Sequence, residues 1–478
     1  MNRWMRIVLL AALLMALLIG CSPTGGAEQE AAPTDTAAEA VPAEGDGATA
    51  ATDTGEREVL TMWFWGAEPK HQQALVDVLA GGYNASQDKY TLEIEFRNTV
   101  DKDVPVALTA GEGPDIVYAS GPAFTAPYAE AGTVISLDKY AEQYGWQDRV
   151  LPILYQASTV NGSLYSIPNS LSVGGIFYSK SVLETLGFEP PKTIEELETI
   201  MDAAMDQGMY ASVGGNKGWR PVNDNYMANF LNSFANPIDI YNALTGETPW
   251  NTPQIKFAVD KSAEWFQKGY LAGDEYMSQN AVDAFQLMAD GRSPFFFGPS
   301  LLFQFAEAFF TGDKADDLGF LPMPSLDPNQ PAPVYSVSTP CTFSINAHSD
   351  PARQDAAAEV LDMMLTQQFL VDMTQRWPGY WGVPLSQVDV NADDFQGLSR
   401  TFLNVVSDAS AAIGQGQFGF HPTTFFPPAT QEKWRDIDSV WLGSITSDEM
   451  LDAVDEAFAV ELEKGLVSPL VRPAEPAQ

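Results

Sequence analysis

From Val59 onward, strand-length apolar runs alternate with runs of helical period, and this alternation most limits the folds open to the chain. Val59–Trp65 (VLTMWFW) is largely apolar and closed by Gly66, as a buried strand would be. His71–Gly82 carries Leu75, Val78 and Leu79 at helical spacing. Tyr90–Arg97 alternates strictly, with Tyr90, Leu92, Ile94 and Phe96 on one face. Pro105–Ala110 reads as a short helix in which Pro105 is tolerable only in the first turn. Asp115–Ala119 (DIVYA) is a third strand behind the turn Gly111-Glu112-Gly113-Pro114. The expected class is therefore α/β.

The same reading extends along the chain. Leu164–Pro168 and Gly174–Tyr178 read as extended. Thr193 with Glu196 forms a predicted capping box, ahead of a buried stripe of Ile194, Leu197, Ile200 and Met201 that Gly208 ends. Asp350 is an N-cap with Pro351 in the first turn, opening a helix through Val360, Leu361 and Met364. Thr446 and Glu449 form a second predicted box before Leu451, Val454 and Phe458.

Ahead of this body lies a different kind of sequence. Arg3 and Arg6 precede an unbroken apolar run, Ile7–Ile19, of 13 residues, too short for a permanent span and typical of an export signal. It ends in Leu18-Ile19-Gly20-Cys21, which resembles a bacterial lipobox, with Cys21 the lipidated residue; the other reading is an ordinary signal peptide with an incidental cysteine. Ser22–Arg57 is almost wholly Ala, Thr, Glu, Asp, Gly and Pro and reads as a disordered tether. Its root-mean-square reach is roughly 30–36 Å.

Length and charge then exclude several functions. At about 100–200 residues per domain, 478 residues predict two to four domains or two large lobes. The net charge is −38, and from Glu58 onward 55 acidic residues face 22 basic ones, a net of −33. That nearly excludes nucleic acid as a partner and argues against adsorption of the folded part to anionic lipid. Two Cys and three widely spaced His (His71, His348, His421) rule out a disulfide framework and a Cys-rich zinc site. A Ser-His-Asp triad needs only one His, so it is disfavoured rather than excluded.

The order of several short motifs adds a resemblance. Leu60-Thr61-Met62-Trp63-Phe64-Trp65 is followed by Leu108-Thr109-Ala110-Gly111-Glu112-Gly113-Pro114-Asp115-Ile116-Val117 and by Ala129–Leu137 (AEAGTVISL). Leu164-Tyr165-Ser166-Ile167-Pro168 then leads to Phe177-Tyr178-Ser179-Lys180 and to Pro191-Lys192-Thr193-Ile194-Glu195-Glu196-Leu197, with Ile194 in place of the usual Trp. Over most of Val59–Leu385 the chain resembles the bacterial extracellular solute-binding proteins of the carbohydrate-binding class that serves ABC transporters. The resemblance implies a two-lobe periplasmic-binding-protein fold (type II-like), with hinge-linked lobes that each hold a central β-sheet flanked by helices. It places lobe 1 at 58–168 and 341–385, and lobe 2 at 169–340 and 386–478, with a ligand in the cleft between them.

A sugar site wants aromatic rings for C–H faces and fixed polar groups for hydroxyls. Trp63 is read as core. Trp65, with Gly66 and Glu68 after it, sits at the expected cleft end of the first strand, and Ser120 at the end of the third; core and ligand readings of Trp65 both stand. Asn169, Ser170 and Ser172 follow the implied hinge at Pro168, where cleft contact and hinge bonding are both open. Trp219 and Arg220 lie in a Gly-rich loop that lacks a Gly-Lys-Ser/Thr ending, so it is not a P-loop. Gly298 and Ser300 match the family's strand ending in Gly-Pro-Trp, with Ser300 where a stacking Trp often stands; Phe297 is read as core. In Arg376–Gly382 (RWPGYWG), Trp377, Tyr380 and Trp381 share a loop too short to pack all three rings into one core, so exposure of Tyr380 or Trp381 to ligand is expected. Cys341 is read as a small buried hydrophobe, Asp115 as a turn cap, and His421 as structural or at the rim.

The expected function is a monomeric, lipid-anchored receptor outside the cytoplasmic membrane. It captures a carbohydrate, delivers it to an ABC permease, and uses no catalytic residue, metal or cofactor. Two alternatives stand beside it: a surface glycoside hydrolase or lyase, and the same fold with a non-sugar ligand such as a polyamine, a peptide or a metal complex.

Overall fold

Alternate residues of β1 (Glu58–Trp65) bury Leu60, Met62 and Phe64 against one side, as its apolar pattern requires. The computed structural model in which this is seen describes residues 57–217, 220–327, 329–330 and 333–475. Cys21, nearly all of the Ser22–Arg57 stretch, and Trp219 therefore lie outside the described residues.

β1 pairs in parallel with β2 (Tyr90–Arg97), from Glu58 opposite Tyr90 to Trp65 opposite Arg97. A parallel pair needs a crossover. Helix Pro69–Leu75, the π-helical turn Val76–Ala80 and helix Gly81–Ser86 supply it without a break. β3 (Ile116–Ala119) lies on the other side of β1, also parallel. A small hairpin, β4 (Thr159–Val160) with β5 (Ser163–Leu164), precedes β6 (Ile167–Pro168). Then come β7 (Ser172–Ser179), β8 (Phe295–Pro299), β9 (Leu318–Leu321), β10 (Tyr335–Ser338), β11 (Thr342–Ile345) and β12 (Phe418–Phe420). The first sheet has the order β2-β1-β3-β11-β6, the second β12-β10-β7-β8 with β9 also on β7. The chain passes from the first sheet to the second between Pro168 and Ser172, and back between Ser338 and Thr342. The result is a two-lobe α/β fold, each sheet flanked by helices. Among the described residues no helix is long and apolar enough to cross a membrane.

The short helix expected from Pro105 is longer. It spans Val100–Thr109 with Pro105 inside it. Val100, Val104 and Leu108 recur every fourth residue and are all buried, and this burial outweighs the single main-chain bond that proline forfeits. The predicted caps form at Thr193, Asp350 and Thr446. At Thr446 the box is reciprocal with Glu449, whereas Glu196 turns to accept from the Lys192 amide instead of closing on Thr193. The second sheet is covered by a helix that sequence reading did not single out, Val222–Phe234, buried at every position although half its residues are polar. It is tolerated because its amides work as bonding groups: Asn229 donates to the Gly175 carbonyl at 3.2 Å, and Asn232 donates to the Phe420 carbonyl and accepts from the Phe420 amide.

Asp115 fixes β1 to the first lobe. Its carboxylate accepts from Arg353 Nε (2.9 Å) and Nη2 (2.5 Å), from the Thr61 amide (2.8 Å) and hydroxyl (3.0 Å), and from Ser349 (2.7 Å). Burial alone would raise its pKa, but the Arg353 bonds, the Thr61 amide, Ser349 and the guanidinium charge outweigh it and hold the carboxyl below its ordinary value. The folded-state pKa is depressed, so the contribution is complete above the unfolded-chain value and is lost as pH falls through the folded-state one. Asp115→Asn is expected to cost about 3 kcal/mol in urea unfolding at neutral pH, and the gap to wild type should close as the solution is acidified below the ordinary carboxylate range.

Candidate functional site

The carboxyl ends of β1 and β3 converge on the place where the chain changes sheets, and the loop after β8 meets them from the second lobe. The candidate site is this seam, and its residues fall into two layers, a polar hinge and an aromatic cluster beside it.

The hinge residues are buried and bonded to one another. The Asn169 amide donates to the Cys341 carbonyl, and Asn169 Oδ1 accepts from the Cys341 amide, both at 3.2 Å. Ser170 donates to the Tyr380 carbonyl (2.5 Å) and accepts from the Gly382 amide (3.1 Å). Ser172 accepts from the Leu301 amide (3.2 Å), and Ser300 from the Val173 amide (3.1 Å). Of the two readings open for Asn169, Ser170 and Ser172, the structure thus assigns their oxygens to the hinge. Ser300, at the expected ring position, is a hinge clamp as well. A Cβ at Gly298 would come 2.6 Å from Leu302 Cδ1, so that side-chain tip would have to shift. Asn169 Nδ2 stays buried without a partner.

The aromatic cluster corrects one expectation. Trp377, Tyr380 and Trp381 do all pack into one core, and each is less than 5% exposed. The partners that sequence reading lacked come from other elements. Phe64 stacks on Trp381 at 5.7 Å and Phe369 meets its edge, while His71 lies flat on Trp377 at 4.5 Å and 2°. Trp377 and Tyr380 stack on each other at 4.7 Å. Two aromatic residues of β1 stay half-covered: Trp63 under the Arg97 guanidinium at 3.6 Å, and Trp65, whose Nε1 donates to the Tyr380 hydroxyl at 2.8 Å. The Tyr380 phenol is pushed well above its ordinary pKa by burial beside Cys341, so it stays neutral. Cys341 is fully buried and its thiol is pushed up by desolvation, as a structural cysteine's would be.

The other expected residues are placed apart from this cluster or are already engaged. Glu68 is exposed and caps the helix Pro69–Leu75 with its main chain. Ser120 donates to Asp101 at 2.5 Å. Arg220 pairs with Glu432 (3.1 Å) and Asp436 within the second lobe. His421 is buried, accepts from the Thr423 amide, and is held neutral by desolvation, its pKa lowered to about 3. Sequence reading missed the groups that meet across the seam: Lys70 and His71 from the first lobe with Glu307 from the second, and Gln304 accepting from Trp377 Nε1 at 3.1 Å. The helix carrying His71 was legible and those beside Gln304, Glu307 and Trp377 were not singled out, and pairing across lobes leaves no local signature. Two surface hollows of about 230 and 350 Å³ lie away from the seam, on the second lobe. Among the described residues no group of three or more His, Cys, Asp or Glu is arranged to hold a metal ion.

A family model described as bacterial extracellular solute-binding protein matches residues 39–368. A probable sugar-binding periplasmic protein of Rhizobium meliloti is 28% identical over 189 residues, covering 36% of this chain and 42% of that protein. The maltotriose-binding protein of Pyrococcus abyssi is 26% identical over 144 residues, covering 30% of each. The chain thus spans less than half the length of these curated relatives. A solved chitin oligosaccharide binding protein superposes with a TM-score of 0.68 at 18% identity, covering 84% of this chain and 99% of that one, a likeness of fold.

Gly379 lets the aromatic loop seat. Its φ is +102°, and a Cβ would lie 2.5 Å from the Gln304 amide nitrogen. Gly132, at φ +67°, has open space around it. Gly379→Ala is expected to lower stability by about 2–4 kcal/mol, and Gly132→Ala by about 1 kcal/mol, in parallel urea titrations.

Proposed function

The chain belongs to the bacterial extracellular solute-binding proteins, and from that premise we propose that it is a receptor that captures a carbohydrate between its two lobes and passes it to an ABC permease. The family's extracellular character puts the body outside the cytoplasm. In this reading Cys21 carries the lipid anchor and the tether lets a monomeric body reach its permease. In this reading the lobes are 58–168 with 341–385, and 169–340 with 386–478; the two changes of sheet support the boundaries near 168 and 340. No catalytic group takes part; closing over the sugar and opening again is the whole task.

One observation carries the sugar assignment. Trp65 ends β1 at the seam with part of its ring uncovered, and its indole N–H is fixed by Tyr380. A preset, partly exposed indole at that strand end suits the C–H side of a sugar at little entropic cost. The names of the relatives, for sugar and for maltotriose, support the same ligand class. Trp219, Arg220, Glu68 and Ser120 are the further residues proposed to meet the ligand, whereas Trp377, Tyr380 and Trp381 support Trp65 from behind. Asn169, Ser170, Ser172, Gly298 and Ser300 set the hinge that brings these groups together.

Tryptophan fluorescence of the full chain in detergent, titrated with mono- and oligosaccharides including maltotriose and chitin oligosaccharides, tests this reading. A saturable shift at about micromolar sugar, with the sugar recovered intact, is the expected outcome. Trp65→Ala should weaken binding about tenfold. No shift with any sugar would overturn the carbohydrate assignment, and a shortened sugar would overturn the receptor in favour of an enzyme.

A further inference from the structure

Helix Pro69–Leu75 follows β1 after three residues, the short helix Phe303–Ala306 follows β8 after the 3₁₀ turn Ser300–Leu302, and the two meet from opposite lobes through Lys70 and Glu307. Between them stand three charged or titratable side chains. Lys70 Nζ lies 2.5 Å from Glu307 Oε2, and His71 Nε2 lies 3.5 Å from the same oxygen. The His71 ring cannot swing away, because it is buried and lies parallel on Trp377. Trp377 in turn donates to Gln304, one turn before Glu307. A carboxylate of the second lobe is thus bonded by the exposed Lys70 of the first, and stands beside the buried His71 Nε2, which makes no hydrogen bond and is fixed by stacking.

We propose that Glu307, bonded by Lys70 beside His71, is the latch that holds the two lobes together, and that it sets how often the seam opens. The proposal rests on the receptor reading for its purpose, but not for its test. The hinge bonds lie on the segments that join the lobes and persist when the lobes swing. The Glu307 contacts have no covalent continuity across the seam, so a swing separates them. Lys70 is half-exposed and Glu307 a third exposed, so the ion pair is of the weak, solvent-screened kind, enough to bias an equilibrium a few-fold and not enough to lock it. A receptor that must release its ligand needs a closed state of that modest depth. His71, stacked on Trp377, walls one side of the carboxylate, its Nε2 3.5 Å away.

The test is a distance measurement between the lobes with no sugar present. Nitroxide labels at Val106→Cys and Met277→Cys, 71% and 60% exposed and remote from the latch, report interlobe distance by pulsed electron resonance on the full chain. Glu307→Gln and Lys70→Met are each expected to raise the long-distance population about two- to fivefold. The charge-swapped pair Lys70→Glu with Glu307→Lys should restore the wild-type distribution, which a merely structural role would not. Raising salt should narrow the difference between wild type and Glu307→Gln, because only wild type has the pair to screen while both share the lobe–lobe repulsion. Distributions that do not differ between wild type and Glu307→Gln, or a swap that fails to restore them while melting is normal, would overturn the latch. Because no ligand enters the measurement, its failure is distinct from a failure to bind sugar.

Discussion

The structure depends on how main-chain donors are satisfied where the chain leaves one sheet for the other. Strand pairing stops at Pro168 and at Ser338, and the amides beyond are buried without a ladder partner. Each such amide would cost about 1–3 kcal/mol if left unpaired. The Asn169 and Leu171 amides go to the Cys341 and Gly382 carbonyls, and side-chain oxygens of Asn169 and Thr424 take the Cys341 and Thr339 amides, while on the flanking segments Ser170 serves Gly382, Ser300 serves Val173 and Ser172 serves Leu301. Short polar side chains suit this task because their oxygens reach a main-chain N–H without filling the narrow crossing.

The aromatic cluster is positioned by those same bonds. Ser170 grips the carbonyl of Tyr380, whose ring stacks on Trp377 and whose hydroxyl receives the Trp65 N–H. One loop therefore joins the hinge to the carboxyl end of β1, while Asp115 and Arg353 hold that strand near its start. Trp65 is fixed from both directions along its own strand. Its ring can stay half-uncovered without becoming mobile, which a lone surface tryptophan could not do.

Periodicity made the elements of the fold legible, and the polar hinge explains why the site was less so. Tyr90–Arg97 shows its strand by strict alternation, and Thr446 with Glu449 its cap, because both signals lie within a few residues. Pro105 misled because a local rule was applied where burial of Val100, Val104 and Leu108 decides. Trp377, Tyr380 and Trp381 misled for the opposite reason: the loop was judged by its own length, whereas Phe64, His71 and Phe369, remote in sequence, complete the packing. Ser300 in place of a ring was visible as a departure, and its meaning appears only with Val173 beside it. The Glu307 contacts had no local pattern at all.

The two kinds of interlobe bond differ in the way a hinged molecule requires. Those at the crossing are buried, mostly neutral, and insensitive to salt. Across the seam, beside the buried Trp377–Gln304 bond, the Lys70–Glu307 pair is ionic and partly exposed, so it is individually weak. Net charge pushes in the same direction. With 55 acidic and 22 basic residues from Glu58 onward, like-charge repulsion favours separated lobes. A lysine spent at the seam opposes that repulsion at the one place where opening happens, and because both the repulsion and the pair are screened together, added salt shifts their balance less than it shifts either alone. Motion is thereby confined to the seam, while the crossing keeps Trp65 and its supports in register through it.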